Sequence, residues 1–484
     1  MSEKQYIEII AEHAKENPNR IAAHVGQNHI TIGDLESRSN QMARVYLSYG
    51  AGLDDIITLA IPNSIELLVA TLACWKVGAR PNPVSSSMPA PELRSLVENG
   101  MPKLVLWDGD SELGYPTLPS NFTPSSDVSD GRLELPASPA GERALASGGS
   151  TGTPKLILPA GKAVYNPNGV LSFFATKRAT VVPGPLYHAI PFSETWQGIL
   201  RGVTVVIMRR FSAEEFLALI EKHRADHLFV VPTMMLRVWR LPEETRLKYD
   251  ISCLETVISG AAPLPAWLMH AWIDWLGPDV MNEAFGPSER IGGTFITGKE
   301  WLEHPGSVGR PVSFCELKIF DEKGNECPTG DMGEVYFLPN AGAGTTYEYR
   351  GANPERRSDG WETVGDMGYV DEDGYLYLGD RRSDMILVNG RNIYPAEIEG
   401  AIEKFPNVRS CAVVGLPDEN GELFAHAIVD CAPGSVDVNK LRPFLSEQLI
   451  GYKTPKTFEF ADEPLRNDAG KVRRQALREA RLRP

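Results

Sequence analysis

ASGGSTGTPK, Ala146 to Lys155, packs glycines, hydroxyls and one lysine into a single short stretch. Glycine lets a backbone approach an anion closely, Ser and Thr hydroxyls donate hydrogen bonds or face a metal, and Lys155 adds a point charge. The composition is that of a phosphate clamp. It is not a Walker loop, because Gly152 is followed by Thr153 and Pro154 and no Ser or Thr follows Lys155. The same residues also build mobile Ser/Gly linkers. Lys-Leu-Ile-Leu after Pro154 reads as the start of a strand and favours an anchored loop.

Outward from this loop, helical and strand signals alternate through the first three quarters of the chain. Glu66 to Val77 reads as a helix closed by Gly78, and Lys103–Trp107, Thr204–Met208, Leu228–Val231 and Leu254–Ser259 read as short buried strands. This is α/β patterning. Asp108 to Glu142, rich in Ser, Pro, Asp and Gly, reads as a surface excursion leading into the clamp. Near Arg381-Arg382-Ser383-Asp384 charged residues separate Tyr375–Leu378 from Met385–Val388, and a domain boundary is placed there, giving residues 1–382 and 383–484. Beyond it Pro395 opens a helix with Ile398, Ile402 and Phe405 on one face, and Cys411–Val414 and Ala425–Val429 read as strands. The expected architecture is a large multi-subdomain α/β N-terminal domain with a small mobile α+β lid. The basic tail, Lys471 to Arg483, reads as a solvated terminal helix in all but Lys471.

At 484 residues the chain exceeds one ordinary core. A formal charge of −15 argues against generic nucleic-acid or anionic-membrane binding. The six cysteines are scattered with no Cys-x-x-Cys, so neither zinc nor a disulfide framework is expected. The N-terminus lacks the basic start and apolar run of a signal peptide, and Leu67–Ala73 is too short to span a bilayer. A soluble cytoplasmic protein is expected, with a homodimer left open.

SGAAPLP (Ser259–Pro265), NEAFGPSE (Asn282–Glu289), VGDMG (Val364–Gly368), DRRSDMILVNGRNIYPAEIE (Asp380–Glu399) and RNDAGK (Arg466–Lys471) follow the clamp in order. Together they resemble the adenylate-forming enzymes: acyl-CoA synthetases, luciferases and peptide-synthetase adenylation domains. PLYHAIPF (Pro185–Phe192) and HPGSVGRP (His304–Pro311), the latter with Trp301, are similar to the acyl-CoA ligase branch, in particular ligases of bulky or steroid-like acids.

The resemblance implies ATP, Mg²⁺ and coenzyme A acting with a small-molecule carboxylic acid. The acid attacks the α-phosphate to give acyl-AMP and pyrophosphate, and the thiol of coenzyme A then displaces AMP. Ser147, Gly148, Gly149, Ser150, Thr151, Gly152 and Lys155 are implied around the β- and γ-phosphates, with Thr151 and Glu289 facing Mg²⁺. Gly260, Ala261, Ala262, Glu283, Ala284, Phe285, Gly286 and Ser288 are implied around the adenine slot, Asp366 at the ribose, and Arg381 near ribose or phosphate. Lys471 is the implied first-stage cation, His188 a gate between acyl pocket and thiol channel, Gly390 a passage for the pantetheine arm, and Ser383 the hinge.

The acyl pocket is assigned by family position to His188, Trp196, Val231, Gly260, Phe285, Ile291, Gly292 and Gly293, the adjacent glycines leaving room for a large ring system. Val364, Ser383, Ser288 and Asn389 depart from the family's usual Thr, Asp or Lys, Thr and Gly. None of these changes deletes a charged group. They leave open a member running mainly one half-reaction, whether adenylation or thioester formation. A transfer to a carrier-protein thiol and a catalytically silent adenylate-binding protein are the remaining alternatives.

Overall fold

Ser64 accepts a hydrogen bond from Leu67 N at 3.2 Å and so starts the helix Ile65–Lys76, and Gly78, at φ 81°, ends it. The helix is buried on nearly every side, and even Lys76 is inside, held by Glu36 at 2.7 Å and Asn40 at 2.6 Å. Burial so complete places this helix between layers. The computed structural model describes residues 3–109, 112–134, 136, 138–147, 155–166, 176–388, 391–419, 421–467 and 470–482.

Among these residues the largest sheet has nine strands. Its order is Arg310–Pro311, Thr294–Thr297, Met281–Phe285, Thr256–Gly260, His227–Val230, Ala179–Val182, Thr204–Ile207, Ile21–Val25 and Asn28–Thr31. The central strands are parallel and the outer ones antiparallel. A second sheet, Arg80–Pro83, Ile56–Leu59, Leu104–Leu106 and Thr117–Leu118, is parallel throughout. These short Val/Ile/Leu runs fit buried parallel strands covered by helices. The strands expected from the sequence agree with these bounds to within two residues.

An antiparallel sheet carries Gly333–Pro339, Asp366–Val370 and Leu376–Arg381, so the strand that ends at Arg381 leads directly into the C-terminal unit. That unit has the strands Val408–Pro417, Leu423–Cys431 and Thr457–Ala461 packed on the helix Pro395–Ile402, with Ile398, Ile402 and Val413 in its core. The α+β lid is present as expected.

Two expectations are corrected here. Glu142, at the end of the Asp108–Glu142 excursion, is only 6% exposed and pairs with Arg143 and Arg290, so the excursion ends in the core. The tail helix Arg474–Leu482 is not simply solvated. Arg474 is half-buried against Glu399 at 2.8 Å and Asp384 at 2.9 Å, and Arg481 pairs with Glu459 at 2.6 Å. Glu399 accepts from Arg466 as well, at 2.9 Å, so one buried carboxylate fastens both sides of the Lys471 loop. No helix among the described residues is long and apolar enough to cross a membrane.

The lid lies against the larger domain. Arg240 donates to Glu403 O at 3.0 Å, Arg473 pairs with Glu92 at 3.0 Å, and a Cβ added at Gly470 would stand 3.0 Å from Thr233 Oγ1.

Candidate active site

Lys155 begins the strand Lys155–Pro159, which pairs with Leu145–Ser147 on one side and Tyr347–Arg350 on the other. This register brings its Nζ to 3.8 Å above the ring of Tyr349. Glu289 stands in the turn after Met281–Phe285, 7% exposed; its Oε1 accepts from Tyr349 Oη at 2.5 Å and lies 3.9 Å from Lys155 Nζ. Burial pushes the Lys155 ammonium below its ordinary range, Glu289 opposes that shift, and Arg381 adds to it. Behind Glu289, Arg290 has a left-handed backbone, φ 58°, and reaches Glu142.

Asp366 and Arg381 face each other across adjacent strands, 3.4 Å apart. Burial raises the Asp366 carboxyl and Arg381 counteracts it. The lid delivers Lys471 to this pair. Its ammonium is pushed down by burial and by Arg381 and is supported by Glu289 and Asp366, although the side chain keeps solvent access. Asn467 holds the loop, accepting from Lys471 N through its side chain at 2.9 Å and donating its own N–H to Lys471 O at 3.0 Å.

His188 occupies the residue before the helix Ala189–Arg201, without a capping hydrogen bond from its side chain. Its Nε2 is buried with no hydrogen-bond partner among the described residues, and burial first and Lys471 second lower its pKa to about 3. The imidazole is neutral at physiological pH. Lys155, Arg381, Lys471, Glu289, Asp366 and His188 therefore belong to one site. Three cations against two carboxylates make a field that favours a polyanion.

The segments expected to wall the adenine slot, SGAA and AFG, lie side by side in the large sheet. Gly260 pairs in register with Ala284, and a Cβ on Gly260 would lie 2.6 Å from Ala284 O, so the strands meet too closely there for a side chain. Ala261 follows at φ 68°, a strained conformation for alanine. On the Ala284 face of the sheet, Val231 joins Phe229, Met234, Ile258, Ile190 and Phe295 in an apolar cluster.

Several acid-pocket and slot assignments are corrected. Trp196 is 2% exposed and packs edge-on to Trp75 at 4.6 Å, in the N-terminal core. Ile291 is fully buried with Phe337 and Leu145, in a cluster apart from that of Val231. Gly292 and Gly293 do not leave open room: a Cβ at Gly292 would lie 2.2 Å from the Phe337 ring, and one at Gly293 would lie 2.8 Å from Phe285 O. Their missing side chains accommodate neighbouring protein atoms. Glu283 sits beside Ser259, on the sheet face opposite Ala284, and burial raises its carboxyl to about 8. Trp301, noted beside HPGSVGRP and not assigned to the pocket, is core, edge-on to His270 at 4.7 Å.

Gly148, Gly149, Ser150, Thr151 and Gly152 of the clamp, and Asn389 and Gly390 of the lid, lie outside the described residues, as does the Ser147 side chain. Tyr349 and the Glu142–Arg290 pair were missed from sequence. The alternation of Tyr347 and Tyr349 signals a strand with aromatics on one face, but nothing local to it points to Glu289.

Known proteins show the family and the fold. Residues 10–347 match the AMP-binding enzyme family, and residues 397–471 match the AMP-binding enzyme C-terminal domain. The chain is 30% identical to a feruloyl-CoA synthase of an Amycolatopsis species over 96% of both chains, and 28% identical to a 2-succinylbenzoate–CoA ligase of Bacillus licheniformis over 97% and 98%. In fold it is similar to the o-succinylbenzoate CoA synthetase of Bacillus subtilis in complex with its acyl-adenylate intermediate, with a TM-score of 0.78 at 24% identity, covering 99% of this chain and 98% of that one.

Proposed function

Because this chain belongs to the AMP-binding enzymes, we propose that it is an ATP-dependent acyl-CoA ligase that forms an acyl-adenylate and then a CoA thioester. In the first stage a carboxylate oxygen bonds to the α-phosphorus, the bond from that phosphorus to the bridging oxygen breaks, and pyrophosphate leaves. In the second the CoA sulfur bonds to the acyl carbon, gives up its proton, and the acyl–oxygen bond to AMP breaks. The observation that carries this reading is Lys471. A lid residue reaches the same field as Asp366, Arg381 and Glu289, where carboxylate, α-phosphate and departing pyrophosphate bring negative charge together.

Lys155 suits the outer phosphates, Asp366 the ribose hydroxyls, and Arg381 the ribose or phosphate beside it. Mg²⁺ takes oxygen ligands and commonly binds through one or two carboxylates plus substrate phosphates. Glu289 fits that chemistry, since it presents carboxylate oxygens beside Lys155, and Thr151 is its implied partner. When bound, the metal neutralises phosphate charge.

The acid's body is assigned by family position to the side of Val231, whose neighbours Phe229, Ile258, Ala284 and Phe295 make that wall apolar. His188, neutral and beside Lys471, suits the edge between that wall and the reacting carboxylate. The domains divide at residue 382, and the lid turns about Ser383 between the stages, because Lys471 and the Asn389–Gly390 loop belong to one lid and serve different stages.

Acid-dependent pyrophosphate release and thioester formation from supplied acyl-adenylate, measured separately over a panel of acids, test the reading. Both activities with bulky aromatic acids are expected. Neither activity with any acid overturns the ligase, and a preference for short linear acids overturns the substrate class.

A further inference from the structure

Lys155 and Glu289 carry opposite charges in the same buried neighbourhood, yet stand 3.9 Å apart, at the outer limit of an ion pair. A clamp lysine closed onto a metal-binding carboxylate would leave neither free for the nucleotide. Tyr349 gives each a separate seat. Its hydroxyl donates to Glu289 Oε1 at 2.5 Å, and its ring face lies 3.8 Å beneath Lys155 Nζ, a cation–π contact. The ring is itself fixed: Tyr349 lies on the strand Tyr347–Arg350, registered with Ile157 on the strand that Lys155 begins, and Tyr347 packs edge-on to it at 4.8 Å.

We propose that Tyr349 is a positioning residue that holds Glu289 and Lys155 apart, keeping the carboxylate for Mg²⁺ and the ammonium for the outer phosphates. The proposal rests on the reading of Glu289 as the metal ligand. The phenol acts through Glu289 and its ring acts through Lys155, so the two effects separate by substitution.

The test is calorimetry of the full chain with α,β-methylene-ATP, titrated once with Mg²⁺ and once in excess EDTA. The ratio of the two affinities is the metal's contribution. Tyr349→Phe keeps the ring and loses the donor, so that ratio falls about tenfold, the order expected for a hydrogen bond to a charged group, while the EDTA affinity stays within twofold. Tyr349→Leu, the second variant, lowers the EDTA affinity as well. Glu289→Gln is the control. If it lowers the ratio and neither Tyr349 variant does, the positioning role is overturned; if Glu289→Gln leaves the ratio intact, the metal reading itself falls.

Discussion

Arg290, at φ 58°, donates from its guanidinium to Glu142 Oε2 at 2.8 Å, tying the residue next to Glu289 to the segment that leads into the clamp. Glu142 is shared with Arg143, whose guanidinium reaches Ser193 at 2.8 Å in the helix that His188 precedes. Arg290 keeps solvent contact and Glu142 retains Arg143, so losing the pair costs about 1–2 kcal/mol rather than the full cost of a stranded buried charge. Arg290→Ala keeps the left-handed non-glycine backbone that wild type already carries, whereas Arg290→Gly relieves that strain, about 1 kcal/mol. Denaturant melts should rank wild type above Gly above Ala, and both variants should raise KM for MgATP. An unchanged KM in both would separate this pair from the site.

Lys471→Ala should lower acid-dependent pyrophosphate release by about a hundredfold or more, the scale of one lost transition-state donor. Thioester formation from supplied acyl-adenylate should stay near wild type. Because burial and Arg381 depress the Lys471 ammonium, the first stage should lose rate on the alkaline side before pH 10.5, the usual lysine value. A pH–rate profile of Lys471→Arg should lack that limb.

His188 carries a depressed pKa of about 3, so the folded protein binds fewer protons there than the unfolded chain. Its contribution to stability is complete above about pH 6.5 and declines as pH falls toward 3, at up to roughly 1.4 kcal/mol per unit. His188→Phe should flatten this part of the stability–pH curve. An imidazole that titrates by NMR near pH 6.5 would contradict the burial.

Glu399 is fully enclosed by the lid; burial works to raise its carboxyl, but Arg474 and Arg466 prevail and hold it below the ordinary range. The stability it contributes is present above about pH 4.5 and is lost as pH falls through the lowered folded value. Glu399→Gln leaves Arg474 with Asp384 and Arg466 with Glu403, so it should destabilise the lid by about 1–2 kcal/mol rather than by the full cost of a stranded buried charge. Limited proteolysis should then cut first beyond residue 382.

Gly292→Ala places a methyl group into the Phe337 ring and should cost about 1–3 kcal/mol by overpacking. Acid preference should not change, because that face of Gly292 meets core. A shift toward smaller acids would restore Gly292 to the pocket wall.

The lid helix from Pro395, the buried helix after Ser64 and the parallel strands were legible because their signals are local: caps, apolar runs and their periods. The site's charged members were legible through motif resemblance, and the structure brings Lys155, Glu289, Asp366, Arg381 and Lys471 together. The acid pocket was not. An aromatic such as Trp196 or a glycine such as Gly292 reads alike in a pocket wall and in a core, and only its neighbours across the fold distinguish the two.

The amino-acid sequence by itself determined the α/β domain with its α+β lid, and singled out the charged residues that the fold gathers into one cluster. Short-range backbone preferences and motif order carry that information. Only the tertiary structure decided what surrounds those residues: Tyr349 beneath Lys155, Arg290 on Glu142, and Arg466 and Arg474 on Glu399. These partners lie 60 or more residues apart in sequence, and their pairing is set by strand register and burial, where an unpaired charge is too costly to leave alone.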